Sequence, residues 1–233
     1  MMVKRLALLI LCFCLLCTPV RAAENEKLVA LTFDDGPSGK FTRKLLEGLE
    51  ERGAKATFLL CGYRMEQYPD LTQRIFQEGH EIGLHGYSHK SMRDMCRWDT
   101  AQEIRKAMAL LPEGCEASFL RPPGGLCSEC IQTVAEEFGL SLLHWSVDPK
   151  DWAVHDAKSI EAAVIGHVQD GDVILLHDMS DSSVEAALEI VDVLQGQGFR
   201  FVTVSELAQA RNIVLVPGTK YTRFGSADFQ KRK

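Results

Sequence analysis

Short, nearly continuous apolar runs alternate with longer amphipathic segments along most of the chain. The first of these runs, Leu28–Phe33, stops at Asp34-Asp35-Gly36-Pro37, and a Gly-Pro pair is typical of a turn after a strand. Apolar runs of this length, with no regularly spaced polar face, are typical of strands that are covered on both sides. The pattern predicts seven strands, at Leu28–Phe33, Ala56–Cys61, Glu81–Leu84, Ser118–Arg121, Ser141–Val147, Asp172–Leu176 and Phe199–Val204.

The segments between these strands place apolar residues three and four positions apart, which is the spacing of an amphipathic helix. A regular alternation of strand and helix predicts a single α/β domain with a parallel sheet. A doubly wound sheet and a barrel both fit this alternation, and no linker rich in Pro, Gly or Ser divides the chain. The predicted helices are Gly39–Arg52, Met65–Glu78 with a break near Pro69, Thr100–Leu111, Glu129–Phe138, Lys158–Val168, Ser182–Leu194 and Ser205–Ala210.

The first 23 residues have the layout of a secretory signal peptide. Lys4 and Arg5 precede the apolar run Leu6–Cys17, and small residues follow at Ala22 and Ala23, where we expect cleavage. The apolar run is shorter than the roughly 20 residues that a membrane span needs. We therefore expect a secreted or extracytoplasmic protein, which would be tethered to the membrane only if the signal were retained.

The charge of the chain is acidic, with 26 Lys and Arg residues against 32 Asp and Glu residues and a net charge of −6. Loss of residues 1–23 would remove three basic residues and no acidic one, leaving a net charge of −9. An acidic surface argues against binding to a nucleic-acid backbone, which needs basic residues. Residues 24–210 form the predicted domain, and residues 211–233 are predicted to be an irregular, locally basic tail.

Five cysteines remain after the predicted signal peptide, so at least one thiol has no partner within the chain. Cys61 lies in an apolar run and is expected to be a small buried apolar residue. Cys127 and Cys130 have the spacing of a zinc or redox site, but no second Cys-x-x-Cys accompanies them. We therefore favour a local disulfide between them, or bridges to Cys96 and Cys115, over a structural zinc site.

Titratable side chains follow nearly every predicted strand, at the carboxyl end where α/β barrels place their active sites. The groups at five strand ends are Asp34-Asp35, His85 and His89, Arg121-Pro-Pro-Gly-Gly125, Asp148-Pro-Lys-Asp-Trp152 and His177-Asp178.

His85 and His89 are four residues apart, a spacing that brings two imidazoles to one side of a helical turn. Two imidazoles and one carboxylate suit zinc or a similar divalent ion, and they leave coordination positions open. Asp34 and Asp35 would repel each other, and a cation that binds one of them would leave the other free to act as a base. The alternative for Asp34-Asp35-Gly36-Pro37 alone is a turn closed by side-chain hydrogen bonds.

The chain resembles the polysaccharide deacetylase family, which is carbohydrate esterase family 4. The resemblance spans about Leu28 to Val204 and implies a distorted (β/α) barrel of about seven parallel strands. It also implies metal-dependent hydrolysis of N-acetyl groups on sugars. The five segments that match the family's ordered motifs are Thr32-Phe-Asp-Asp-Gly-Pro37, His85-x-x-x-His89, Arg121-Pro-Pro-Gly124, Asp148-x-x-Asp-Trp152 and Leu175-Leu-His-Asp178.

The resemblance also implies a role for individual residues. Asp35, His85 and His89 would bind the metal, usually zinc. Asp34 would be the general base, and His177 would be the general acid that protonates the departing amine.

Further roles follow from the same resemblance. Arg121 would pair with Asp34, and Asp148 would do the same for His177. Trp152 and Leu175 would line the pocket for the acetyl methyl, and the backbone N–H of Gly124 would help to stabilise the oxyanion.

Three residues depart from the family pattern. Gly86 stands where Ser or Thr is usual, so a hydrogen bond that supports the metal-binding turn is expected to be missing. Leu84 stands where Asn is common, and Gly124 replaces an aromatic residue. The last change removes an aromatic wall from the cleft, which bears on substrate preference.

The sequence thus predicts a secreted, metal-dependent deacetylase that acts on N-acetylglucosamine-type residues of a glycan. Peptidoglycan, chitin-like oligomers and an exported polysaccharide are the candidate substrates, and a monomer is favoured. One alternative is a catalytically silent glycan-binding protein, which would have lost a base, an acid or a ligand. The other is a hydrolase of a non-sugar amide.

Overall fold

The computed structural model of the protein describes residues 26–225. The predicted signal peptide, residues 1–23, and residues 226–233 of the predicted tail lie outside these described residues. Within the described range, no helix combines the length and the apolar character that crossing a membrane requires.

A parallel sheet of eight strands organises residues 26–225. Seven strands follow the order β6-β1-β2-β3-β4-β5-β8, and β7 pairs with β1 outside this path. This curled α/β sheet confirms the predicted distorted barrel of about seven parallel strands. The strands are β1 Lys27–Asp34, β2 Ala56–Leu60, β3 Glu81–Leu84, β4 Phe119–Leu120, β5 Ser141–Leu143, β6 Val173–His177, β7 Phe199–Phe201 and β8 Lys220–Tyr221.

Eight α-helices connect or follow these strands in the described part of the chain. Pro69 stands at the first position of α3, where the missing N–H of proline costs nothing, and it separates α3 from α2 as predicted. The helices are α1 Gly39–Glu51, α2 Gly62–Gln67, α3 Pro69–Gln77, α4 Arg97–Met108, α5 Glu129–Glu137, α6 Ala157–Ile165, α7 Asp181–Gly196 and α8 Val204–Ala210, with a short 3₁₀ turn at Pro123–Gly125.

Strand β1 is buried on both faces, and its alternating side chains enter two different cores. Val29, Leu31 and Phe33 pack in the large core beneath the helix layer. Leu28 and Ala30 belong to a second core, to which α8 also contributes. Because side chains alternate along a strand, Thr32 and Asp34 continue this second, inner face to the carboxyl end of β1.

Strand β5 is shorter than the predicted strand Ser141–Val147. The backbone N–H of His144 donates to Tyr221 of β8 (2.7 Å), and the chain then turns towards β6. Val147 forms an isolated parallel bridge with Ile174 of β6. This bridge brings the two sides of the curled sheet together and places residues 144–152 beside the end of β6.

The prediction of an irregular tail over residues 211–233 is wrong in one respect. Lys220 and Tyr221 form β8, which pairs with Leu142 and Leu143 of β5. Tyr221 and Phe224 are both buried, and their rings stack with centroids 5.6 Å apart. Burial of these two rings anchors a strand that is too short to show a hydrophobic period of its own.

The five cysteines of the described residues are all free thiols, so the expected disulfides are not formed. Cys61 is fully buried, as predicted, and burial raises the pKa of its thiol. Cys127 Sγ lies 3.0 Å from Nε2 of His144.

Candidate active site

A cavity of about 440 Å³ opens at the carboxyl ends of the strands. Nine of the ten predicted site residues line it, and the tenth, Arg121, is buried directly behind Asp34. The lining residues are Asp34, Asp35, His85, His89, Gly124, Gly125, Trp145, Asp148, Trp152, Leu175 and His177.

The end of β1 delivers two adjacent carboxylates in different directions. Asp34 is the last residue of β1 and is 3% exposed on the inner face of the sheet. Asp35 has a left-handed backbone conformation (φ 72°), which turns the chain and directs its side chain away from that of Asp34. Gly36 follows, and a Cβ atom there would lie 2.6 Å from Oδ1 of Asp178, so the turn requires glycine.

Asp35, His85 and His89 bring three donor atoms within 4.8 Å of one another. Oδ1 of Asp35 lies 3.3 Å from Nε2 of His85 and 2.9 Å from Nε2 of His89. Among the described residues this buried oxygen has no hydrogen-bond partner of normal geometry. Burial alone would raise the pKa of Asp35, but when the two imidazoles are protonated their hydrogen bonds and charge hold it far below its ordinary value.

The orientation of His85 supports its use as a metal ligand. Its Nδ1 lies 2.6 Å from the carbonyl oxygen of Arg121, which can only accept a hydrogen bond. Nδ1 therefore carries the proton, and Nε2 presents a lone pair towards Asp35. Three convergent donors of this kind, one of them a buried carboxylate oxygen without a proton donor, fit a divalent cation of the zinc type.

Arg121 is fully buried and holds Asp34 from the interior of the barrel. Its Nη1 lies 2.5 Å from Oδ1 of Asp34 and also donates to Oγ1 of Thr32 (3.0 Å), two residues earlier on the same face of β1. Its Nε and Nη2 donate to the carbonyl oxygens of Leu143 and His144. The guanidinium thus satisfies several acceptors at once and fixes the direction of the Asp34 carboxylate.

The carboxylate that holds His177 is Asp151, so the predicted pairing of His177 with Asp148 is wrong. Oδ1 of Asp151 lies 2.8 Å from Nδ1 of His177, and Oδ2 accepts the backbone N–H of the same residue (2.8 Å). Asp148 instead accepts the backbone N–H of Lys150 (2.8 Å), which closes a local turn. Lys150 has a left-handed conformation (φ 56°), and this turn directs Asp151, not Asp148, into the protein.

Asp151 also sets the charge state of His177. Burial would lower the pKa of His177, but the hydrogen bond and the charge of Asp151 outweigh it and raise this pKa to about 9. With Nδ1 bound to Asp151, Nε2 is the nitrogen available to the cavity. His177 can therefore hold a proton at neutral pH and donate it to a group in the cavity.

Asp178 is buried behind the loop that carries Asp35. Its Oδ2 accepts a hydrogen bond from Thr42 of α1, and its carbonyl oxygen accepts one from Ser38. Its Oδ1 is buried with no partner among residues 26–225. Burial raises the pKa of Asp178 to about 6, although the hydrogen bond from Thr42 opposes this shift.

The cavity wall is formed by apolar side chains and an exposed turn. Trp152 is 64% exposed at the mouth, whereas Leu175 is buried at 4%. Gly124 lies in the short 3₁₀ turn and is exposed, so its backbone can be approached from the cavity. Trp145 supplies a ring that the sequence analysis did not assign, and its centroid lies 5.6 Å from the guanidinium carbon of Arg121.

The sequence assigned no role to Asp151, Trp145 or Asp178. A signal was present for Asp151, since it stands beside Trp152 in the motif that matched. Trp145 lies inside the predicted strand Ser141–Val147, where nothing marks it as a cavity residue. Asp178 was named at a strand end beside His177, but nothing in its spacing indicated a role of its own.

Comparison with known proteins identifies similar sequences and structures. A family model described as polysaccharide deacetylase matches residues 21–143. The chain is 36% identical over 194 residues to a peptidoglycan-N-acetylglucosamine deacetylase of Bacillus cereus, with 81% of this chain and 91% of that protein covered. It is 34% identical over 190 residues to the peptidoglycan-N-acetylmuramic acid deacetylase PdaC of Bacillus subtilis. That match covers 80% of this chain but only 40% of PdaC, which is therefore a longer protein.

A solved structure with a similar fold contains a metal ion. It is a family 4 acetyl xylan esterase from Clostridium thermocellum in complex with a cobalt ion. The TM-score is 0.79 and the identity 32%, and the match covers 84% of this chain and 98% of that chain.

Proposed function

The chain belongs to the polysaccharide deacetylase family, and we propose that it hydrolyses N-acetyl groups on a glycan. The reaction would consume water, release acetate and leave a free amine on the sugar. One observation carries the proposal. Two titratable groups of opposite function, Asp34 held by Arg121 and His177 held by Asp151, line the same cavity as the three convergent donors.

Asp35, His85 and His89 are the residues that would hold a divalent cation, with zinc as the expected ion. When bound, such a cation supplies Lewis-acid chemistry, which polarises the acetyl carbonyl and lowers the pKa of water. The donor set carries one negative charge, so it leaves part of the cation's positive charge for this purpose.

Asp34 would remove the proton from the attacking water. Its ion pair with Arg121 limits the rotation of the carboxylate, so that its free oxygen Oδ2 faces the cavity. That oxygen lies 3.9 Å from Nε2 of His85, which places the base beside the ligand set without making it a ligand.

His177 would donate its proton to the nitrogen of the departing sugar amine. An amine anion is a very poor leaving group, so an acid is needed on this side of the reaction. Because the pKa of His177 is raised to about 9, the imidazole is protonated at neutral pH before the reaction begins. The exposed backbone of Gly124 is available to donate a hydrogen bond to the developing oxyanion.

The substrate proposed is an N-acetylglucosamine-type residue of peptidoglycan or of a chitin-like oligomer. This is supported by the names of the relatives and by the exposed ring of Trp152, which can stack on the apolar face of a sugar. We also propose that the protein acts outside the cytoplasm, where the signal-like residues 1–23 would direct it.

The test is an assay of released acetate with N-acetylglucosamine oligomers, peptidoglycan fragments and acetylated xylan as separate substrates. We expect release from the N-acetylated substrates, loss of activity after chelation and recovery when zinc is added. Release of acetate from acetylated xylan alone would show that the protein hydrolyses acetyl esters and would contradict the proposed N-deacetylation. No release from any substrate, with zinc bound in full, would favour the alternative of a silent glycan-binding protein.

A further inference from the structure

The loop between the two histidine ligands is the part of the site whose conformation the sequence leaves unexplained. Gly86 occupies the position at which a supporting hydroxyl was expected. We propose that Glu103 of α4 replaces this support as a positioning residue, which fixes the loop Gly86–Ser88 and thereby the separation of His85 and His89. This inference rests on the proposed metal-dependent function.

Three hydrogen bonds join Glu103 to this loop. Oε2 of Glu103 accepts the backbone N–H groups of Tyr87 (2.9 Å) and Ser88 (2.8 Å). Its other oxygen, Oε1, accepts the hydroxyl of Ser88 (2.9 Å). A single carboxylate thus binds the backbone N–H groups of two consecutive residues between the ligands and the hydroxyl of Ser88. Charge-assisted bonds of this kind are about twice as strong as neutral ones.

The backbone of Gly86 explains why the support comes from another helix. Gly86 has a left-handed backbone conformation (φ 76°), which residues with a Cβ atom rarely adopt. A Cβ there would lie 2.7 Å from Cε of Met92, which is 1% exposed, and 3.3 Å from Oε2 of Glu103. The space of a supporting side chain at residue 86 is therefore already occupied by Met92 and Glu103.

The opposite side of the loop is held by backbone hydrogen bonds to α2. The N–H groups of Gly62 and Tyr63 donate to the carbonyl oxygens of Gly86 and Tyr87, each at 2.9 Å. The carbonyl groups of the loop thus bind α2, while its N–H groups bind Glu103. Without Glu103 only the α2 side would remain, and His89, which follows the loop with φ 58°, would lose the constraint on its position.

Outer partners of metal ligands typically contribute about 10–100-fold to metal affinity. We therefore expect Glu103→Ala to weaken zinc binding by about tenfold or more, measured by competition with a chromophoric chelator. Glu103→Gln keeps one oxygen for the two N–H groups and should recover most of the affinity. Gln102→Ala, on the same helix but outside this set of contacts, is the matched control and should bind zinc as the wild type does.

Thermal unfolding in excess chelator separates positioning from general stability. A lower midpoint for Glu103→Ala together with unchanged zinc affinity would overturn the proposal and leave Glu103 a structural residue. If Glu103→Ala does not fold, Ser88→Ala removes only the hydroxyl bond and should weaken zinc binding to a smaller extent. Unchanged zinc affinity in Ser88→Ala would then count against the proposal.

Failure of this inference is distinguishable from failure of the proposed function. Wild-type protein that releases acetate in a zinc-dependent way, while Glu103→Ala binds zinc equally well, would overturn this inference alone. Wild-type protein that binds no zinc would overturn the metal-dependent function, and this inference with it.

Discussion

Asp151 binds His177 twice, through the ring Nδ1 and through the backbone N–H, with both distances at 2.8 Å. Asp151 is 1% exposed, whereas His177 reaches the cavity. The pair therefore places a fixed negative charge behind the imidazole and leaves the second ring nitrogen for chemistry. This arrangement gives the control of the proposed acid to Asp151, which lies three residues after Asp148, the residue that the sequence suggested.

Asp151→Asn should move the alkaline limb of the pH profile of kcat/KM to lower pH. His177 must be protonated to act as an acid, and Asp151 raises its pKa to about 9. Loss of the Asp151 charge lowers the pKa of His177, so activity should fall at a lower pH. Removal of an opposite charge at this distance typically changes a pKa by about one unit or more. A bound cation would lower the pKa in both proteins, so the measured quantity is the difference between them.

Asp148→Asn is the matched control for this experiment. It changes a carboxylate of the same loop that binds Lys150 and not His177. The alkaline limb should stay where it is in the wild type. A shift in Asp148→Asn and none in Asp151→Asn would restore the assignment that the sequence favoured.

Arg121→Lys should lower kcat strongly and also destabilise the protein. A lysine cannot reach Asp34, Thr32 and the carbonyl groups of residues 143 and 144 together, so buried acceptors lose their donors. Breaking a buried charge pair costs about 3–5 kcal/mol when one charge is removed, and less here because lysine keeps the charge. Urea unfolding and acetate release together test this, and unchanged stability would contradict the interior role of Arg121.

Asp34→Asn should abolish turnover and leave metal binding nearly intact. Asp34 faces Arg121 and is not one of the three convergent donors, so its loss removes the base but no ligand. Zinc content after dialysis and acetate release are the two measurements. Protein that loses its zinc would show that the roles of Asp34 and Asp35 were assigned the wrong way round.

Asp178→Asn should change the pH dependence of stability. The folded protein raises the pKa of Asp178 from 3.8 to about 6, so the folded state holds this proton more tightly than the unfolded state. The wild type therefore loses stability as the pH rises through this interval, and the variant, which cannot ionise, does not. The quantity compared is the free energy of unfolding of the variant minus that of the wild type. This difference should be more positive by about 2–3 kcal/mol at neutral pH than at a pH below the interval.

This comparison is made by urea unfolding of metal-free protein on both sides of the interval. The hydrogen bond from Thr42 favours the ionised form, and its effect is already contained in the raised pKa of Asp178. Equal effects of the substitution at acid and neutral pH would show that Asp178 does not carry a raised pKa.

The hydrophobic pattern was sufficient for a parallel α/β sheet, because β1, β2 and β6 are runs of mainly buried residues. The barrel, as opposed to a doubly wound sheet, was implied only by the family resemblance. The candidate ligands and the candidate base could also be predicted from the sequence, since Asp34, Asp35, His85 and His89 lie next to strand ends. Their positions follow from the rule that parallel strands end at one edge of a sheet.

The remaining features depend on turns and on distant contacts, which no local pattern records. Asp148 and Asp151 are equivalent candidates by composition, and only the left-handed turn at Lys150 decides which of them enters the protein. Glu103 reaches its loop from a different helix. Strand β8 is two residues long, and its position depends on the burial of Tyr221 and Phe224.

The strand order has a consequence for when the candidate active site is assembled during synthesis. Strand β1, near the start of the described chain, is paired with β6 and β7, and β5 is paired with β8 near its end. Pairings across such long stretches of sequence form late, because the ends of a long loop must first meet. Asp34 from β1 and His177 from β6 therefore line one cavity only after β6, which ends at residue 177 of 233, has emerged. A shorter chain would carry Asp35, His85 and His89 without His177, so the proposed hydrolysis would have to wait for the pairing of β1 with β6.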